Sequence, residues 1–129
     1  MRGRIFGLAC AILLVATAAW AHHSGAGVDR TKTVTITGVV KEFRWTNPHS
    51  WIDLDVPNAK GGTDTWSVEM TSPAFLLRAG WKASSVKSGD RVSITLRPMR
   101  SGEPGGLFVS ITLPDGRVLG ERPAPPAQP

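Results

Sequence analysis

Histidine is the side chain best suited to metal binding and proton transfer at neutral pH, and this chain has three: His22, His23 and His49. The first two stand in "AAWAHHSGAG", directly after an apolar N-terminal run that ends in Ala19-Trp20-Ala21. That small-x-small triplet is where a secretory leader is cut. Cleavage there makes His22 the first residue of the mature chain. A terminal histidine offers one metal ion two donors, its free α-amine and its imidazole. His49 offers a second imidazole from elsewhere in the chain, and His23 lies beside the first. Three nitrogens in a planar, T-shaped set favour Cu(II) over other divalent metals. The α-amine, with an ordinary pKa of about 8, must lose its proton to bind, so affinity in such a site rises with pH. The bland alternative is an untethered chain start with no ligand, as at the ends of most domains.

"WTNPHSW", residues 45–51, is the most unusual internal stretch. Asn47-Pro48 is a turn signal, so His49 falls in a loop flanked by Trp45 and Trp51. One reading makes Trp45, Asn47, His49 and Trp51 a ligand-binding loop with indole walls. The other leaves His49 packed between two tryptophans that close the end of the fold. Asp53, Asp55 and Glu69 alternate along neighbouring segments and are expected as exposed carboxylates paired with Lys and Arg. No phosphate-binding Gly loop, CxxC, HExxH or GxSxG is present, so catalysis has no motif to stand on.

The segments that position these residues follow a leader. Arg2 and Arg4 precede an apolar run from Ile5 to Ala16, giving a predicted cleaved signal over residues 1–21 and a periplasmic or secreted protein. The run is too short to span a bilayer, which needs about 20 apolar residues. Cleavage of the 129-residue chain leaves 108 residues, enough for one small core. The single cysteine, Cys10, leaves with the leader, so the domain is expected to be held by packing without disulfides. Removing Arg2 and Arg4 from the 15 basic residues leaves 13 against 10 acidic ones, a net charge of +3. No Lys/Arg cluster accompanies it, which argues against nucleic acid as a partner.

Period-2 alternation predicts five strands. They are "KTVTITGVVKEFRW", "SWIDLDV", "DTWSVEM", "RVSITLRP" and "GLFVSITLP". Gly38 inside the first marks an expected bulge or bend. Leu107, Val109, Ile111 and Leu113 are expected on one inward face of the last. Between the third and fourth, "TSPAFLLRAGW" reads as a helix of two turns. Ser72 stands at its N-cap, Pro73 at N1 and Gly80 at its end, with Phe75 and Leu76 facing the core. "NAKGGTD" at 58–64 is a hairpin loop. Residues 22–32 read as a flexible mature N-terminus, 33–119 as the folded domain and 120–129 as a disordered Pro-rich tail. Three strands, a helix and two strands is the order of a small five-stranded, OB-like Greek-key barrel. Element order alone does not prove closure, so an open β-sandwich remains the alternative.

Taken together, "AHHS" after a leader, "VTITGVVKEFRWTNPHSWIDLDV", "LLRAGW", "VKSGDRVSITLRP" and "SITLPDGR" resemble a secreted bacterial family, domain of unknown function 6152. The likeness runs from about His22 to Leu119. It implies a small exported β-rich domain and carries no established activity. Where the family pattern has an aromatic after His-His-Ser, this chain has Gly25-Ala26. A looser resemblance, to periplasmic bacterial OB-fold proteins, rests on topology and export. The expectation is a non-enzymatic exported binding module, with copper or another transition metal held by His22, His23 and His49. The alternative is an envelope protein-interaction or structural subunit without metal. An unknown small ligand or an envelope protein is the expected partner.

Overall fold

The computed structural model describes residues 25–122. The predicted leader, His22 and His23, and residues 123–129 of the Pro-rich tail lie outside them. The alternating segments form β1 (Val34–Arg44), β2 (Trp51–Pro57), β3 (Thr63–Glu69), β4 (Arg91–Pro98) and β5 (Gly105–Thr112). A three-residue β6 (Val118–Gly120) follows the "PDGR" turn, and α1 (Pro73–Arg78) lies between β3 and β4. Antiparallel pairing runs in the order β3-β2-β1-β4-β5-β6. A parallel pairing of β3 with β5, from Ser67 opposite Gly105 to Glu69 opposite Leu107, joins the two halves. The sheet is therefore a closed five-stranded OB-type barrel, and the open sandwich is ruled out. The seam depends on backbones that touch. A Cβ on Gly105 would lie 2.8 Å from the Ser67 carbonyl oxygen, and one on Gly106 2.0 Å from that of Arg97.

Strand β1 serves both halves, pairing with β4 through Val34–Val39 and with β2 through Val39–Arg44. Gly38 sits where these pairings meet, and a Cβ there would stand 2.2 Å from the Asp55 carbonyl oxygen. The glycine marks a close approach, whereas the bulge lies at Lys41, the residue skipped between Val40 and Glu42. One extra residue reverses which face a strand's side chains take. Ile36 and Val40 point inward before it; after it, Phe43 and Trp45 pack on the core and Arg44 turns outward.

A second bulge has the same effect in β5. Leu96 pairs with Phe108 and Thr95 with Ser110, so Val109 is the extra residue. Phe108 is accordingly buried, together with Ile111 and Leu113. The expected inward places of Leu107 and Val109 are only half-buried. A strict period of two cannot anticipate such a switch.

The core is built from Ile36, Val40, Ile52, Leu54, Val68, Val92, Ile94, Leu96, Phe108 and Ile111, closed by Leu76, Trp81 and Met70. Each fully buried large side chain contributes about 1.5–3 kcal/mol by leaving water. Trp81 is the largest of them and donates its indole N–H to the Gly120 carbonyl at 2.7 Å. Helix α1 begins as the sequence indicates, at Pro73 after Ser72, and spans six residues. So short a helix buries one row of side chains, here Pro73 and Leu76. Phe75, expected inside, is 57% exposed and lies beneath the Arg78 guanidinium.

The segment ahead of β1 packs on the barrel from Gly25 onward. Val28 is buried and forms an isolated bridge with Met99. The Asp29 N–H donates to Pro98 at 2.8 Å and that of Arg100 to Gly27 at 2.8 Å. These residues form a strap across the connection between β4 and β5. At the other end of the chain, Glu121 follows β6 and accepts the Thr71 N–H at 2.7 Å.

Candidate functional site

Three connections converge on one side of the barrel. Loop 1–2 spans residues 45–50, loop 4–5 spans 99–104, and the N-terminal strap runs beside them. Between them lies a groove of ≈ 890 Å³, floored by Trp51, Ser67 and Glu69 from β2 and β3. Its walls include Asn47, Pro48 and His49 from loop 1–2, and Met99, Glu103 and Pro104 from loop 4–5. Gly25 to Val28 of the strap complete the lining. In OB barrels, this face and these two loops are the usual ligand site.

The β1 bulge and the pleat decide which side chains reach the groove. Arg44 and Trp51 are opposite one another in the β1–β2 ladder, and the guanidinium lies 5.6 Å from the indole centroid. Arg44 Nη2 donates to Asp53 Oδ1 at 3.0 Å, and the Ser67 hydroxyl donates to the same oxygen at 2.7 Å. Asp53 is thus a cross-strand partner of the expected kind. Arg44 Nε is buried without a hydrogen-bond acceptor.

Loop 1–2 is held from within. The Thr46 hydroxyl donates to the His49 carbonyl at 2.8 Å, and Asn47-Pro48 is a cis peptide. Ser50 is fully buried; its N–H donates to Thr71, and its carbonyl accepts from Met70. Both bonds extend the β2–β3 ladder past Trp51 and so fix where His49 begins. Its ring, 34% exposed, meets a Glu69 carboxylate that is only 12% exposed through Nδ1 and Oε1. With Nδ1 donating to a carboxylate, the neutral ring carries its lone pair on Nε2. Glu121 lies near enough for the charges of His49 and Glu69 to act on it. Burial holds its carboxyl above the ordinary value, against the Thr71 N–H bond and the His49 and Arg122 charges, while Glu69 adds to the rise.

Asn47, His49 and Trp51 therefore share the groove, whereas Trp45 packs edge-on against Phe43, with ring centroids 5.8 Å apart. The Lys41 bulge places Trp45 on the core side. Glu69 was read from the sequence as a solvated strand carboxylate and instead supports the His49 ring. The hairpin register that brings it there, Trp51 opposite Glu69, follows from the 58–62 turn, and that turn was the available signal. Met99, Glu103 and the strap carry no motif that would have revealed them. His22 and His23 lie outside the described residues, but three residues of chain separate His22 from Gly25 in the groove wall. That span reaches about 10 Å at most. Among the described residues, no three His, Cys, Asp or Glu side chains are grouped to hold a metal ion, and no helix is long and apolar enough to cross a membrane.

Residues 10–109 match the model described as "Family of unknown function (DUF6152)". No curated protein matches the chain. Among solved structures, it is similar to the mitochondrial single-stranded DNA binding protein Rim1 of S. cerevisiae. Identity there is 14%, over 64% of this chain and 93% of that one, with a TM-score of 0.49. It is also similar to the N-terminal domain of PriB from Thermoanaerobacter tencongensis. That match has 22% identity, covers 64% and 96% of the two chains, and has a TM-score of 0.41.

Proposed function

We propose that this chain, which belongs to the family of unknown function DUF6152, is an exported OB-barrel binding module of the periplasm that holds copper in its groove. One observation carries the reading: Gly25–Val28 and His49 line the same groove. A leader cut after Ala21 then starts the mature chain three residues from that wall. The His22 amine and imidazole supply two nitrogens and His49 the third, with His23 alongside. Glu69 supports the neutral His49 tautomer, the role a carboxylate plays behind most metal-bound imidazoles. Two groove-lining carboxylates, Glu69 and Glu103, outnumber the one guanidinium of the lining, Arg44, a balance that favours a cation.

The test is Cu(II) titration of protein exported and cleaved at Ala21, its N-terminus verified by mass, with the paramagnetic spectrum as readout. Nitrogen coordination is expected, with affinity rising with pH as the α-amine deprotonates. His49→Ala, or one residue added before His22, should each weaken binding on the order of 100-fold or more. Affinity unchanged in both variants would sink the chelate.

A second reading rests on a different surface. Phe75 and Leu77 of α1 are 57% and 58% exposed, and large apolar side chains left in water suit an envelope protein-interaction subunit. Copper-independent association that Phe75→Ser abolishes would favour that reading.

A further inference from the structure

The sequence has no run of basic residues, but the fold assembles a cluster from two distant segments. The strap carries Arg30 and Lys32, and the end of β4 with the start of loop 4–5 carries Arg97 and Arg100. The Val28–Met99 bridge holds these segments together, with the Asp29 N–H on Pro98 and the Arg100 N–H on Gly27. A Cβ on Gly25 would stand 3.0 Å from both Arg30 Nη2 and Leu107 Cδ1, so those two atoms are at most twice that distance apart. Leu107 in turn is the ladder partner of Arg97. One carboxylate, Asp29, stands among the four cations, and it is already engaged. It accepts the Thr31 N–H at 3.0 Å and the Thr31 hydroxyl at 2.6 Å, and Lys32 Nζ lies 3.7 Å away. Among the described residues, no ion pair engages Arg30, Arg97 or Arg100. Glu103, the acid of loop 4–5, lines the groove.

The sheet beside this cluster continues it without an acid. Strands β4 and β5, and the half of β1 that pairs with β4, contain no Asp or Glu. Their outward side chains include two hydroxyl pairs, Thr35 with Thr95 at 2.9 Å and Thr37 with Ser93 at 2.7 Å. The strand acids all stand on the other half of the barrel, where Asp53, Asp55 and Asp64 accept bonds from Arg44, Thr65 and Asn58. The four cations and Asp29 together carry +3, which equals the net charge of the chain after the leader; the remaining nine basic and nine acidic residues cancel. The excess charge is therefore gathered on one face.

We propose that this acid-free face, with Arg30, Lys32, Arg97 and Arg100 at its end, docks on the anionic headgroups of a phospholipid bilayer. Guanidinium groups match phosphate oxygens two bonds at a time, and the hydroxyls beside them can donate to the same oxygens. The arginines flank half-buried Leu107 on separate segments, a spacing that suits an extended negative surface more than one small anion. Single-stranded nucleic acid fits less well, because its bases need aromatic platforms. The outward positions Thr35, Thr37, Ser93, Thr95, Arg97, Leu107, Ser110 and Thr112 offer none. A second copy fits less well too, since the carboxylates of β2 and β3 that could meet the arginines are bonded within their own barrel. The proposal does not depend on what the groove holds.

The experiment is co-sedimentation of the exported protein, kept in a metal chelator, with vesicles of equal parts phosphatidylglycerol and phosphatidylcholine. Binding is expected there and not to pure phosphatidylcholine, and it should weaken as salt is raised. Each cation at an anionic bilayer strengthens binding about fivefold. The triple variant Arg30→Gln, Arg97→Gln, Arg100→Gln should therefore lose on the order of 100-fold. The same three changed to Lys should keep binding within about 10-fold, which separates lost charge from lost fold. A control of equal charge, Lys60→Gln, Lys82→Gln, Lys87→Gln, should stay within about threefold of wild type, since its lysines lie on other loops. No binding to the anionic vesicles would overturn the proposal. So would an equal loss in the control triple, which would reduce the effect to net charge. A single-stranded oligonucleotide held by the same arginines, with vesicles left unbound, would overturn it in favour of nucleic acid. The chelator keeps each result separate from the copper reading.

Discussion

The two ends of the β4–β5 hairpin are built from similar polar side chains and use them differently. At the groove end the bonds cross the fold. His49 meets Glu69 from another strand, Ser67 and Arg44 converge on Asp53, and Glu121 reaches Thr71. At the far end most side-chain bonds stay within their own turns, the Ser88 hydroxyl that donates to the Lys41 carbonyl at 2.9 Å being the exception. Arg117 pairs with Asp115 at 2.7 Å, Lys87 N–H donates to Asp90, and Lys82 N–H to Ser85. The cleft beside those turns, lined by Lys87, Asp90 and Arg117, has a volume of ≈ 240 Å³ against ≈ 890 Å³ for the groove. Local bonds close a chain reversal and say little about a ligand. Bonds between distant residues fix side chains relative to one another, as a binding site requires.

The sharpest way to break this contrast is at the glycines. Gly106→Ala drives a Cβ into the Arg97 carbonyl and should cost about 3 kcal/mol in urea unfolding followed by tryptophan fluorescence. Gly116→Ala meets nothing within 4 Å at the far end, so only its positive φ of 86° penalises it, by about 1 kcal/mol. Equal losses would erase the distinction between seam and turn. Next in size, Glu69→Gln should weaken Cu(II) binding about 10- to 100-fold with the fold intact. Asp90→Asn, at the far end, should leave Cu(II) affinity as it is.

A smaller effect is expected from Glu121. Burial raises its carboxyl above the ordinary 4.5, so the folded protein binds a proton more readily than the unfolded chain. Stability should therefore fall as pH rises through the interval just above 4.5. Glu121→Gln should flatten that slope in unfolding curves recorded across it. The smallest effect is expected at Asp115, fully exposed and held below its ordinary value by the Arg117 backbone and side chain. That shift favours the fold above the ordinary carboxylate range, yet water screens it. Asp115→Asn should leave the unfolding midpoint at neutral pH unchanged.

The sequence makes the barrel legible because hydrophobic alternation, Pro73 and the 58–62 turn are local signals. Ile52, Leu54, Val92, Ile94 and Leu96 all point where a period of two sends them. The site is less legible, because its positions depend on events between strands. Lys41 and Val109 carry no mark of a bulge, yet they turn Trp45 and Phe108 toward the core. Gly38 carries a mark and serves a different purpose. Glu69 becomes the partner of His49 only once the hairpin register is known. The strap has no periodicity to read, and Val28 and Met99 find each other only in three dimensions.

Val28 has a consequence of a different kind. An anchor at that residue converts the chain ahead of it into a leash, and a leash sets a concentration. On the copper reading proposed above, donors on residues 22–24 would meet the groove at an effective concentration of about a millimolar or more, since three residues reach about 10 Å at most. A second ligand group so held meets the groove as an intramolecular partner. Lengthening the leash between Ser24 and Gly25 would dilute it by roughly the three-halves power of its length, without altering a single contact of the barrel.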